Sequence, residues 1–130
     1  RVMLNARTQG KGGTKHRKVA WSEDGGHSWT RLQEDTNLIE PVCQAAILRY
    51  SWPEEGQSRI LFSNPASQQA RINGTLRVSS DEGRTWSRSR VIYPGSFAYS
   101  CLVRTKDDRI GVLFERDQYA AISFVSITPE

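Results

Sequence analysis

An all-β chain assembled from repeated units is what this sequence predicts, on three observations. A frame, Ser-x-Asp-x-Gly-x-x-Trp, occurs twice. Ser22, Asp24, Gly26 and Trp29 fill it in "VAWSEDGGHSW", and Ser79, Asp81, Gly83 and Trp86 fill it 57 residues later in "LRVSSDEGRTW". Apolar runs repeat as well: "RILFSNP" (59–65) matches "RIGVLFE" (109–115), with "RVMLNAR" (1–7) as an earlier copy. Finally, short alternating runs bounded by Gly, Pro, Asn and Asp recur throughout, and no amphipathic helical run of useful length interrupts them.

In chain order the expected strands are 1–7, 16–22, 28–33, 43–50, 59–63, 74–79, 85–93, 99–104, 109–115 and 120–127. Each copy of the frame lies between two of them and reads as a hairpin turn. Its Asp accepts backbone N–H groups ahead of it, and its Gly supplies positive φ. The Trp three residues on is placed to pack under the turn, which makes the motif structural rather than catalytic. Four-stranded units of this length that recur radially are the blades of a β-propeller. Closure takes roughly four to eight blades, so this chain predicts about half of a ring.

Composition bounds the function classes. The 130 residues suit one domain, and 37% hydrophobic with 25% charged residues describes a globular chain. No apolar run approaches bilayer length, so no membrane partner is expected, and no signal segment opens the chain. "RVMLNAR" starts without Met and reads as mid-strand, so a piece of a longer protein is expected. Net charge is +4, with the basic residues bunched in "KGGTKHRK" (11–18). That cluster carries no interleaved aromatics for stacking bases, so it reads as a solvated loop and strand edge, with no nucleic-acid partner. Cys43 and Cys101 sit in apolar strand-like runs, at positions read as equivalent in successive units. They are therefore expected to point the same way as core residues, without a disulfide. No Cys/His spacing fits a metal, and neither a metal nor a cofactor is expected. His16 and His27 have no partner pattern.

The repeated frame resembles the Asp-box of the sialidase (neuraminidase) superfamily, whose fold is a six-bladed propeller. Other stretches carry the likeness further. "VMLNAR" resembles the strand with the second arginine of the family's triad, which implies that role for Arg7. "ARINGTLRVSSDEG" resembles the segment with the third, implying Arg71, with Arg77 as the alternative. "FAYSCL" resembles the segment of the tyrosine nucleophile, implying Tyr99. "VLFE" is similar to the segment of a glutamate that orients the first arginine, implying Glu115, and "IEPVCQ" suggests Gln44 as a sugar-pocket residue. The likeness covers the C-terminal half of the family pattern. The first triad arginine, the acid/base aspartate and the activating glutamate belong upstream, and neither Glu40 nor Asp24 fills those places.

The chemistry suits these residue types. A sialic acid carries a carboxylate on its anomeric carbon, which guanidinium groups grip in bidentate fashion. A carboxylate nucleophile would approach that carbon against like charge. A neutral phenol, with an ordinary pKa of about 10, avoids the repulsion and needs a neighbouring base. Ser100 has no nucleophile-elbow motif and no histidine near it in the frame. Glu115, ending an apolar strand, fits either a solvated edge charge or a group turned inward beside arginines. The sequon "NGT" (73–75) is read as unused. The resemblance implies an exo-α-sialidase acting on terminal sialic acid of glycans, this chain alone being inactive. The alternative is a non-catalytic Asp-box propeller segment that binds glycans or proteins. The partner completing the ring would be the rest of the propeller or a second copy. Sialylated glycans suggest extracellular, periplasmic or lumenal space, and no residue fixes which.

Overall fold

The computed structural model describes residues 1–9 and 13–129. Among them are nine strands: β1 (Val2–Ala6), β2 (His16–Ser22), β3 (Gln33–Ile39), β4 (Ala46–Ser51), β5 (Arg59–Pro65), β6 (Ile72–Ser79), β7 (Arg88–Arg104), β8 (Ile110–Arg116) and β9 (Ala121–Ile127). A short 3-10 turn, Pro53–Glu55, links β4 to β5. All neighbours pair antiparallel, in one sheet β1-β2-β3 and a second sheet β4-β5-β6-β7-β8-β9.

Two of the expected strands fuse. The expected strands 85–93 and 99–104 become one 17-residue strand, β7, which begins only at Arg88; its first part pairs β6 and its second part pairs β8. Pro94 and Gly95 were grounds for a break, yet they sit where the β6–β7 register shifts between Ile72 and Gly74. A bulge asks for no ladder N–H from proline, so the strand passes through. The expected strand 28–33 is displaced to Gln33–Ile39. The box turn occupies the intervening residues: Thr30 N–H donates to the Trp21 carbonyl, and Trp29 Nε1 donates to the Gly26 carbonyl.

The two boxes fold as their residues dictate. Asp24 Oδ1 accepts Ser28 N–H at 2.9 Å, and Asp81 Oδ1 accepts Thr85 N–H at 2.8 Å. Gly26 and Gly83 take φ of 100° and 81°. Their tryptophans differ. Trp86 is buried against Phe62, 5.5 Å between ring centroids, and its Nε1 donates to Asp35 Oδ2 at 2.9 Å. Trp29 stays 42% exposed, so only the second box packs its Trp as expected.

Core packing explains the burial of β5. Leu61 joins Tyr50, Leu76, Phe97, Leu102, Val112 and Phe114 on one side, while Ile60 and Phe62 join Leu38 and Trp86 on the other. Buried on both faces, β5 reads as a continuous apolar run. Strand parity also corrects one expectation. Ser100 and Leu102 face this core, so Cys101 faces outward and is exposed. Cys43 is buried, but it precedes β4 rather than lying in it. Both thiols are free.

Candidate functional site

Antiparallel pairing sorts the loops to two ends. The box turns follow β2 and β6 at one end. The opposite end collects the residue after β1 (Arg7), the residues before β4 (Gln44) and β6 (Arg71), the end of β8 (Glu115) and the middle of β7 (Tyr99). Five residues scattered over the sequence thus share one rim.

Tyr99 is the meeting point. The residue is 43% exposed, and the Arg71 guanidinium lies 5.6 Å from its ring centroid. Arg71 is held on both sides: Nη1 donates to the Tyr119 hydroxyl at 2.9 Å and Nη2 to the Val42 carbonyl at 3.1 Å. Burial works to lower its pKa, but the Tyr119 hydroxyl and nearby thiol and phenols outweigh that and leave it above its ordinary value. Arg77 lies six residues further along the chain, roughly 20 Å at strand rise. Its Nε is buried without a partner. The geometry brings Arg71, and not Arg77, to Tyr99.

The backbone under Tyr99 is fixed by two side chains. Glu115 Oε2 accepts Tyr99 N–H at 3.1 Å. Gln44 holds both backbone groups of the next residue, donating from Nε2 to the Ser100 carbonyl at 2.9 Å and accepting Ser100 N–H at 3.0 Å. Its amide is therefore committed to β7 rather than pointed into an open pocket. Arg7 is exposed, with Nη2 on Gln9 Oε1 at 3.1 Å. Burial raises the Cys43 thiol, while Arg71 and Arg7 both oppose it, so both guanidiniums lie within electrostatic reach of Cys43.

Three features were not anticipated. Tyr119, which caps Arg71, closes a loop in which Asp117, Gln118 and Tyr119 all take φ between 53° and 68°. Non-glycine residues pay roughly 1–2 kcal/mol each for that region. Gln118 N–H on Ser96 Oγ and the Tyr93 hydroxyl on Asp117 hold the loop there. A second feature is the buried pair Arg17–Glu40, 3.5 Å apart. Arg17 belongs to the stretch read as a solvated basic edge; it points inward instead, while Lys11 of that stretch lies outside the described residues. The only sequence signal for Glu40 was a charge between Ile39 and Pro41. The third feature is a wide cleft lined by Arg59, Leu76, Arg88, Arg90 and Ile127, which does not include Tyr99.

Asn73 of the sequon donates its amide to the Ala66 carbonyl at 3.2 Å. Among the described residues no cluster of three or more His, Cys, Asp or Glu is placed to hold a metal, and no helix is long and apolar enough to cross a membrane.

A family profile described as "BNR repeat-like domain" matches residues 1–112. The chain belongs to the sialidase superfamily with BNR, or Asp-box, repeats. It is 44% identical over 120 residues to a sialidase of Micromonospora viridifaciens, covering 88% of this chain and 18% of that protein. Among solved structures, a Hadza microbial sialidase aligns at 31% identity with a TM-score of 0.75, over 97% of this chain and 25% of its own. The NanB sialidase from Streptococcus pneumoniae aligns at 21% identity with a TM-score of 0.83, over 97% and 21%. The fold is thus part of a sialidase-type propeller. This chain spans about a fifth of the length of the curated relatives it matches.

Proposed function

We propose that this chain supplies the nucleophile and two carboxylate-binding arginines of a retaining exo-α-sialidase. The observation that carries the reading is the pairing of Tyr99 with Arg71: an exposed phenol under a guanidinium that two partners hold in place. Arg71 and Arg7 grip the sialic carboxylate and fix the ring, which leaves the anomeric carbon facing Tyr99. The phenolic oxygen, its proton taken by a base, bonds to that carbon as the bond to the leaving oxygen breaks. Water then releases the sugar from the tyrosyl–glycosyl intermediate with net retention. Glu115 and Gln44 keep β7 in place through the two displacements.

Among the described residues no side chain is assigned as the acid that protonates the leaving oxygen or as the base that takes the phenol proton. The isolated 130 residues are therefore expected to show no turnover. Activity requires the remainder of the propeller, or a second copy that completes it.

The test is Tyr99→Phe in the intact protein, assayed on an α-linked aryl sialoside. Hydrolysis should vanish while circular dichroism and melting stay native. Normal activity in that variant would overturn the assignment. An intact wild-type protein that binds sialosides without hydrolysing them is instead the non-catalytic, glycan-binding propeller.

A further inference from the structure

We propose that Glu40 is a positioning residue: it locks the segments that carry and orient Arg7 and Arg71 at the spacing a sialic carboxylate requires. The inference rests on the sialidase reading above.

Glu40 is completely buried. Its Oε1 accepts two bonds from Thr8, the residue after Arg7: N–H at 2.7 Å and Oγ1 at 3.0 Å. Its Oε2 accepts Cys43 N–H at 3.1 Å. That N–H belongs to the same peptide unit as the Val42 carbonyl, which receives Arg71 Nη2 at 3.1 Å. One rigid peptide therefore has Glu40 on its hydrogen side and Arg71 on its oxygen side. Arg17 closes the frame, with Nη1 on the Cys43 carbonyl at 2.9 Å and Nε on Asn5 Oδ1 at 2.7 Å. Asn5 lies two residues before Arg7. A single carboxylate thus ties the end of β1 to the corner that aims Arg71.

Two further observations favour positioning over stability. Val42 takes φ of 60°, a left-handed conformation that a β-branched residue adopts only where its surroundings impose it. The grip of Glu40 on the next N–H is such an imposition, and it turns the Val42 carbonyl towards Arg71. In addition, buried ion pairs are often replaceable by apolar residues at little cost in stability. The Arg17–Glu40 attraction by itself is therefore weak ground for a purely stabilising role, while the bonds to Thr8 and Cys43 fix where two segments sit.

The test compares binding of 2,3-didehydro-sialic acid with that of its methyl ester, which differ at the carboxylate. The intact protein should prefer the acid. Glu40→Gln turns an amide donor towards Cys43 N–H or Thr8, and should cut that preference by about tenfold to a hundredfold. The double variant Arg17→Met with Glu40→Leu removes both charges together, lowers the melting temperature through the unpaired Thr8 and Cys43 N–H groups, and should keep the lowered preference. Full acid preference in either variant overturns the proposal. If neither folds, Thr8→Val carries the test: it removes the Oγ1 bond and should cut the preference severalfold, and an unchanged preference overturns the proposal. Arg71→Lys separates the two ideas. If it loses the preference while the Glu40 and Thr8 variants keep it, only the role of Glu40 falls. If it also keeps the preference, the carboxylate-binding reading falls and takes this one with it.

Discussion

Gln44 satisfies both backbone polar groups of Ser100, with Nε2 on its carbonyl at 2.9 Å and Oε1 on its N–H at 3.0 Å. A side-chain amide here does the work of a neighbouring strand. β7 pairs β8 on its other edge from Ser100 onward, after a register shift between Phe97 and Ser100. Without Gln44 the backbone next to Tyr99 would be held from one side only. Gln44→Leu keeps the volume and leaves two part-buried groups unpaired. It should cost about 1–3 kcal/mol in urea unfolding. In the intact protein it should lower kcat, because Tyr99 moves with Ser100. A variant as stable as the wild type would show that water replaces the amide there.

Tyr119 meets the site through its hydroxyl, which accepts from Arg71 Nη1 at 2.9 Å. Tyr119→Phe removes that acceptor and leaves the loop conformation to Ser96 and Tyr93. Loss of one hydrogen bond is worth about 1 kcal/mol. In the intact protein KM for a sialoside should therefore rise about fivefold, with kcat changed less. A fall in kcat with KM unaltered would place Tyr119 elsewhere in the reaction.

How far the sequence discloses these features depends on how local their causes are. The box turns are legible because the Ser and Asp side-chain bonds that shape them span four residues or fewer, as from Ser28 N–H to Asp24. The meeting of Arg71 with Tyr99 was reachable only through family resemblance, since 28 residues and a strand crossing separate them. Tyr119 gave no signal: its role depends on three successive left-handed residues, none of them glycine. Cys101 does not repeat the position of Cys43, because Cys43 precedes β4 and lies in no strand. Alternation counted from Ser100 and Leu102 gives the correct face. Glu40 shows the same limit, its four donors coming from Thr8, Cys43 and Arg17 on three separate segments.

Gly74 meets the core more closely than any other glycine described. A Cβ there would lie 2.0 Å from Phe97 Cδ2 and 2.3 Å from Cγ. Phe97 is fully buried and stacks on Phe114 at 4.8 Å, so it has nowhere to go. Gly74→Ala should destabilise by about 3 kcal/mol or more. Adding Phe97→Leu should recover part of that loss, and a double-mutant cycle reads the coupling directly. Strictly additive losses would mean that the clash relaxes by backbone movement instead.

Glu82 supplies a pH test. Its carboxylate pairs with Arg49 through both oxygens and also accepts the Ser58 hydroxyl. Hydrogen bonds from Arg49 and Ser58 bring its pKa down to about 2 from an ordinary 4.5. In the unfolded chain the ordinary value returns, so between the two values the unfolded state binds more protons. The contribution is complete above about pH 4.5 and is lost as the pH falls through about 2. The side chain is 41% exposed, so the effect is small and screened by salt. Urea unfolding of the wild type and Glu82→Gln should show a gap at neutral pH that narrows below about pH 4.5 and closes near pH 2. A gap that persists unchanged at the acid end would assign the interaction to neutral hydrogen bonding, with no part for the charge.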